Sequence, residues 1–153
     1  DRRFEKMDNR LIPVLDFMSH LCGQKQSDDY IVTNMMRFLR HDFNDYENCY
    51  WWPHFDLGYN GIVYFNKGDN ECGTNLYSIE DEYHYTTNVQ TLEHDQPWIP
   101  KEEFKILKTL EPEYNRLVLF DGDKFIHGMN IVNDRYFDEE YRMNQVFFFD
   151  KED

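Results

Sequence analysis

The sequence contains no alanine at all, and several other scarcities narrow what the chain can be. No apolar run reaches the roughly 20 residues that a bilayer-spanning helix needs. Cations are few: Lys and Arg number 16 against 30 Asp and Glu, giving a formal net charge of −14. A phosphate backbone would meet a repulsive field, so neither nucleic acid nor membrane is an expected partner. Cys22, Cys49 and Cys72 are odd in number and widely spaced. They make neither a disulfide framework nor the close ligand pairs of a zinc site, and they suit a reducing, cytoplasmic compartment. No internal repeat, low-complexity tract or linker is present. The chain opens on Asp1 rather than methionine, so preceding residues are expected to be missing. The lack of alanine fits the nucleotide bias of an AT-rich genome and carries no chemistry.

What is present is material for one core. The 153 residues are 41% hydrophobic and 18% aromatic, which fits a single domain over residues 1–153. Residues 8–22 place Leu11, Val14, Leu15, Met18, Leu21 and Cys22 on one helical face, with Gly23 as the stop. After this helix the period changes. Residues 30–39 read as a strand with a helical alternative, and further strand patterns lie at 61–65, 73–77, 104–110, 117–120 and 144–149. Residues 80–100 are polar and irregular and read as a long insert loop. One helix followed by seven or eight short strands predicts an α+β domain, mostly β, built as a sandwich or barrel.

The chemistry concentrates in His54-Phe55-Asp56 and in His127. On extended backbone a H-x-D pair points both side chains to one face, because strand side chains alternate with period two. A second imidazole closes the set if the sheet folds back on itself. Two histidines and one carboxylate on one side of iron(II) leave open positions for other ligands, which makes such a metal catalytic. His20, His41, His84 and His94 are read as surface or core residues.

Pro53-His54-Phe55-Asp56, Gly61 to Asn66, Gly73 to Tyr77, Arg116 to Asp121, Ile126 to Met129 and Arg142 to Asp150 occur in this order. Together they resemble the prolyl-4-hydroxylase-type branch of the iron(II)- and 2-oxoglutarate-dependent oxygenases, over about two thirds of the chain. The resemblance implies a double-stranded β-helix, or cupin-like jelly roll, with N-terminal helices packed on the outer sheet. It implies Fe(II), 2-oxoglutarate and O2 as cofactor and cosubstrates, and a hydroxylase that couples decarboxylation to succinate with oxidation of a C–H bond. The substrate it suggests is a prolyl or other residue of a peptide or protein, or a small molecule such as a free amino acid.

By the same resemblance His54, Asp56 and His127 hold the metal, and Arg142 binds the 5-carboxylate of 2-oxoglutarate through its planar fork. Tyr64 matches a position whose phenol helps hold that carboxylate; on pattern alone it is equally a core aromatic. Asn144, two residues past Arg142 on the same strand face, is a further cofactor-binding candidate. Trp51 and Trp52, just before the metal pair, with Asn75 and Tyr77, are candidates for the substrate pocket, and Trp98 with the 80–100 loop for a lid. The interval from His127 to Arg142 is longer than the family usually has, and Cys72-Gly73 stands where it often has two glycines. Two other readings remain open: a jelly-roll metalloprotein that does not use 2-oxoglutarate, and a non-catalytic binding or structural module.

Overall fold

A computed structural model describes residues 2–4, 12–23, 26–37, 45–67, 71–79, 97–138 and 140–150. In chain order these form β1 (Arg2–Phe4), α1 (Ile12–Cys22), β2 (Gln26–Met36), β3 (Cys49–His54), β4 (Tyr59–Tyr64), β5 (Thr74–Ile79) and β6 (Trp98–Pro100). Then come β7 (Phe104–Leu110), β8 (Leu117–Asp121), β9 (Ile126–Met129) and β10 (Arg142–Phe149). The strands make two antiparallel sheets, ordered β1-β2-β10-β4-β8 and β6-β3-β9-β5-β7. The protein is therefore mostly β with one described helix, as the hydrophobic periodicity predicted.

The ladders are nested. β2 pairs with β10, β3 with β9, β4 with β8, and β5 with β7. The chain thus runs out and back along itself, and successive strands from β2 to β5 alternate between the sheets. Lateral ladders between β4 and β10 and between β5 and β9 join the arms within each sheet. This wrapping brings β3 beside β9 although five of the ten described strands lie between them.

Each face of the first sheet has its own apolar layer. Leu15 and Met18 of α1 pack on Phe147 and Phe149 of β10, with Tyr59, Val63, Leu117 and Leu119 around them. Side chains of this size stabilise by roughly 1.5–3 kcal/mol each when fully buried. Gly61 lies beneath Met18, and a Cβ there would overlap the Met18 methyl. On the inner face Ile62, Tyr64 and Phe120 meet Leu76 of β5, closing the core between the sheets.

The observed helix differs from the expected one on one side. Residues 8–11, including Leu11, lie outside the described residues, and Leu21 is exposed. Gly23 does end the helix, with a φ of 71° that only glycine adopts without strain. Among the described residues no helix is long and apolar enough to cross a membrane. β3 had no strand signal of its own, because Trp51, Trp52 and Pro53 obscure alternation. Trp98, expected in a loop, belongs to β6 and pairs with Trp51 at the edge of the second sheet. Residues 80–96 lie outside the described part.

Candidate metal centre

His54 is the last residue of β3 and faces His127 of β9 directly across their ladder. Opposed residues in an antiparallel pair share a face, and the two rings sit 4.4 Å apart between centroids. The register slips between Trp51 and His54, and Trp52 there has a φ of 46°. One extra residue on β3 re-aims the side chains beyond it, as β-bulges do. Without it Trp51 and His54, three apart, would point to opposite faces.

Asp56 comes from the β3–β4 connection, not from the strand, so the expected period-two mechanism is not what aims it. Its N–H donates to the Gly122 carbonyl at 3.3 Å, and the Gly122 N–H donates to the Gly58 carbonyl at 2.8 Å. The Gly58 N–H donates to Asp123 Oδ1 at 3.0 Å. Gly58 has a φ of 75°, and a Cβ on it would collide with the Phe149 carbonyl oxygen. Two turns, β3–β4 and β8–β9, thus lock together behind the carboxylate.

The donor atoms converge. Asp56 Oδ2 lies 3.1 Å from His127 Nε2 and Asp56 Oδ1 lies 3.7 Å from His54 Nε2. All three ligand atoms fall within 4.8 Å of one another. His54 Nδ1 lies 2.7 Å from the Trp52 carbonyl, and His127 Nδ1 3.0 Å from the Phe125 carbonyl. A carbonyl can only accept, so each Nδ1 carries the proton and each Nε2 turns toward Asp56. Two acceptor atoms 3.1 Å apart are held together by positive charge near both, which the Asn60 amide hydrogens supply here and a metal ion would supply in their place. Backbone carbonyls holding the far nitrogen are a common support for histidine ligands. The donor set of two imidazoles and one carboxylate suits a first-row divalent ion such as iron(II).

Burial by itself would raise the Asp56 pKa. The hydrogen bond with His127, the charges of His54 and His127, and the amide of Asn60 outweigh it and bring the carboxyl down to about 2. His127 is almost fully buried, whereas the side chains of His54 and Asp56 are each 25% exposed. The centre is therefore open on their side.

A second polar group lies on neighbouring strands. Arg142, the first residue of β10, is buried; its Nε donates to the Cys72 carbonyl at 2.7 Å and its Nη2 to the Gly73 carbonyl at 3.3 Å. Its Cζ lies 5.6 Å from the centroid of the Tyr64 ring. The Tyr64 hydroxyl and Thr74 Oγ1 are 2.8 Å apart. Burial pushes the Tyr64 phenol up, against the nearby Arg142 charge and the Thr74 hydrogen bond, so it stays protonated. Asn144 opposes Tyr64 across the β4–β10 ladder, and its buried Oδ1 has no hydrogen-bond partner. Thr74 is one pleat repeat, roughly 7 Å, from Leu76, and Leu76 pairs with His127.

The structure does not bring every candidate to this place. The Trp52 ring is 5.3 Å from the His54 ring, while Trp51 packs with Trp98 and Met129 in a neighbouring cluster. Asn75 and Tyr77 fall on the opposite face of β5 from Thr74 and Leu76. Asn75 donates to Tyr77 Oη and Asn130 Oδ1 and accepts from Thr109, and Tyr77 packs on Phe104 and Ile126. Alternation along β5 decides this, since adjacent residues cannot both face the interior. His20 is exposed on α1; His41, His84 and His94 lie outside the described residues.

Three residues at these sites escaped the sequence reading: Asn60, Thr74 and Asn66. The alternation Asn60-Ile62-Tyr64 was the available signal for the first. Asn66 brackets Arg142: its Nδ2 donates to the Tyr141 carbonyl at 2.8 Å and its Oδ1 accepts from the Met143 N–H at 2.7 Å. No protein-family model matches the chain, and no curated protein is significantly similar to it.

Proposed function

We propose that this chain is an iron(II)- and 2-oxoglutarate-dependent oxygenase that oxidises an unactivated C–H bond, with His54, Asp56 and His127 holding the metal. The observation that carries the reading is the convergence of His54 Nε2, Asp56 and His127 Nε2, from three separate elements, with both Nδ1 protons directed away. The nested strand order supports it, since a long hairpin wrapped into two sheets is compatible with the jelly roll that the reading expects. The motif order that resembles prolyl-4-hydroxylase-type enzymes supports it as well.

Bound iron, with 2-oxoglutarate and O2 as cosubstrates, would supply the oxidation: O2 is the oxidant, one of its oxygen atoms going to succinate as carbon dioxide is lost and the other to the substrate carbon. The protein's part is to bind, orient and exclude. His54 and His127 present neutral nitrogens, and Asp56 balances charge. Arg142 is the cation for the far carboxylate of the cosubstrate, with the Tyr64 and Thr74 hydroxyls as neutral donors beside it. Asn66 fixes the backbone on both sides of Arg142 and so its aim. Ile62, Leu76 and Phe120 form an apolar wall that keeps water from the interior. The exposed side of His54 and Asp56 is where a substrate C–H bond reaches the centre. The motif order that resembles prolyl-4-hydroxylase-type enzymes makes a prolyl or other peptide residue and a free amino acid the substrates to try.

A second reading, a metalloprotein that uses the same three ligands without 2-oxoglutarate, draws on one observation. Two of the Arg142 donors already meet backbone carbonyls of residues 72 and 73. Anaerobic titration of the metal-free protein with iron(II) and 2-oxoglutarate distinguishes the two. The oxygenase reading expects a visible metal-to-ligand charge-transfer band that His127→Ala abolishes and Arg142→Ala moves to higher 2-oxoglutarate concentration. Metal uptake without a band leaves the second reading, and no metal uptake ends both.

A further inference from the structure

Asn60 is 1% exposed on the inner face of β4. Its Nδ2 donates to Asp56 Oδ2 and lies 3.2 Å from His127 Nε2, while its Oδ1 has no hydrogen-bond partner. An amide with its NH2 wedged between two acceptors and its oxygen buried unsatisfied is oriented for only one state of the site. A lone buried acceptor costs about 1–3 kcal/mol. The two ends of an amide have nearly the same shape, so a half-turn of the side chain reverses them in place.

The distances indicate what the reversed amide meets. Adjacent ligands of an octahedral ion with bonds of about 2.1 Å lie about 3 Å apart. Asp56 Oδ2 and His127 Nε2 are 3.1 Å apart, and the Asn60 amide end is 3.2 Å from the same Nε2. We propose that Asn60 is a fourth protein ligand, turning its Oδ1 to a divalent ion held by His54, Asp56 and His127. The inference rests on the metal reading of this site and adds a donor to it. In the metal-free protein the amide hydrogens contribute to the positive charge between carboxylate and imidazole. In the loaded protein the amide turns over and a carbonyl oxygen, a donor suited to hard divalent ions, takes their place.

The consequence is one of coordination number. Four protein donors on a six-coordinate ion leave two positions, which a chelating 2-oxo acid fills. A third external ligand enters only when Asn60, the one neutral oxygen donor, departs. Asn60 would then be the exchangeable protein ligand of the centre.

One substitution separates a ligand from a hydrogen-bond donor by its sign. Calorimetric titration of the metal-free protein with Mn(II), without 2-oxoglutarate, is the measurement, with circular dichroism to show that each variant is folded. Asn60→Asp keeps an oxygen at the position and adds charge, so Mn(II) binds more tightly, by about tenfold or more, in either role; Asn60→Leu carries the distinction, because a pure donor to Asp56 competes with the ion and its loss leaves the affinity unchanged or raises it. For a ligand, Asn60→Leu removes the oxygen and weakens binding by about tenfold or more. Weaker binding in Asn60→Asp, or unchanged or tighter binding in Asn60→Leu, overturns the inference while the three-ligand site stands. A wild-type protein that takes up no Mn(II) overturns the metal reading itself, and the role of Asn60 with it.

Discussion

At Asp56 burial and charge pull against each other. Its carboxyl is held at about 2 instead of 3.8, so the folded state prefers it ionised. A depressed carboxylate contributes stability that is fully present above the unfolded value and is lost as pH falls through the folded one. The contribution is on the order of 2 kcal/mol. Unfolding free energies from urea titrations between about pH 5 and about pH 2 should fall for the wild type by that amount more than for Asp56→Asn. Equal slopes for the two proteins would mean that the imidazoles do not hold the carboxylate. Arg142 gives a second test at this scale. Lys in its place keeps the charge and loses the planar fork, so Arg142→Lys should raise the half-saturating 2-oxoglutarate concentration at least about tenfold, close to the effect of Arg142→Ala. The band titration reads this directly, and full rescue by lysine would leave only a point charge as the requirement.

At the scale of elements, glycine placement decides which substitutions are tolerated. Gly23 and Gly58 both have positive φ, 71° and 75°. Nothing lies within 4 Å of a Cβ built on Gly23, whereas one on Gly58 strikes the Phe149 backbone. Gly23→Ala should therefore cost about 1 kcal/mol, and Gly58→Ala about 2–4 kcal/mol, in denaturant unfolding. Gly58→Ala should also weaken metal binding, because Gly58 and Gly122 hold the turn that aims Asp56. The elements themselves were unequally legible. The apolar runs at 61–65 and 117–120 and the strand pattern at 144–149 reappear as β4, β8 and β10, and the helix stop at Gly23 as the end of α1. Pattern could not supply β3, where three bulky residues precede His54 and a bulge breaks the period. It also could not show that Leu21 faces outward, since amphipathicity gives a stripe and not its edge.

At the scale of the whole molecule, the site joins the two arms of the nested ladders, so a bound ion ties distant segments together. A ligand that binds only the folded state stabilises it by about 2.7 kcal/mol at a hundredfold excess over Kd. Divalent metal should then raise the melting temperature by roughly 5–10 °C, an effect that chelator reverses and His127→Ala abolishes. A rise that survives in His127→Ala would place the ion elsewhere.

The sequence by itself determined the kinds of donor, the positions of the best-patterned strands, and the amphipathic helix, because each depends on near neighbours along the chain. It also excluded a membrane-spanning helix from its lack of long apolar runs. The tertiary structure decided which donors meet. His127 and Asp56 are 71 positions apart, and only the pairing of β3 with β9 brings them to 3.1 Å. Asp56 is aimed by turn hydrogen bonds from a distant loop, Asn75 and Tyr77 are turned away by alternation on β5, and Asn60 joins the site from β4. Long-range register fixes these meetings, and no local pattern encodes it.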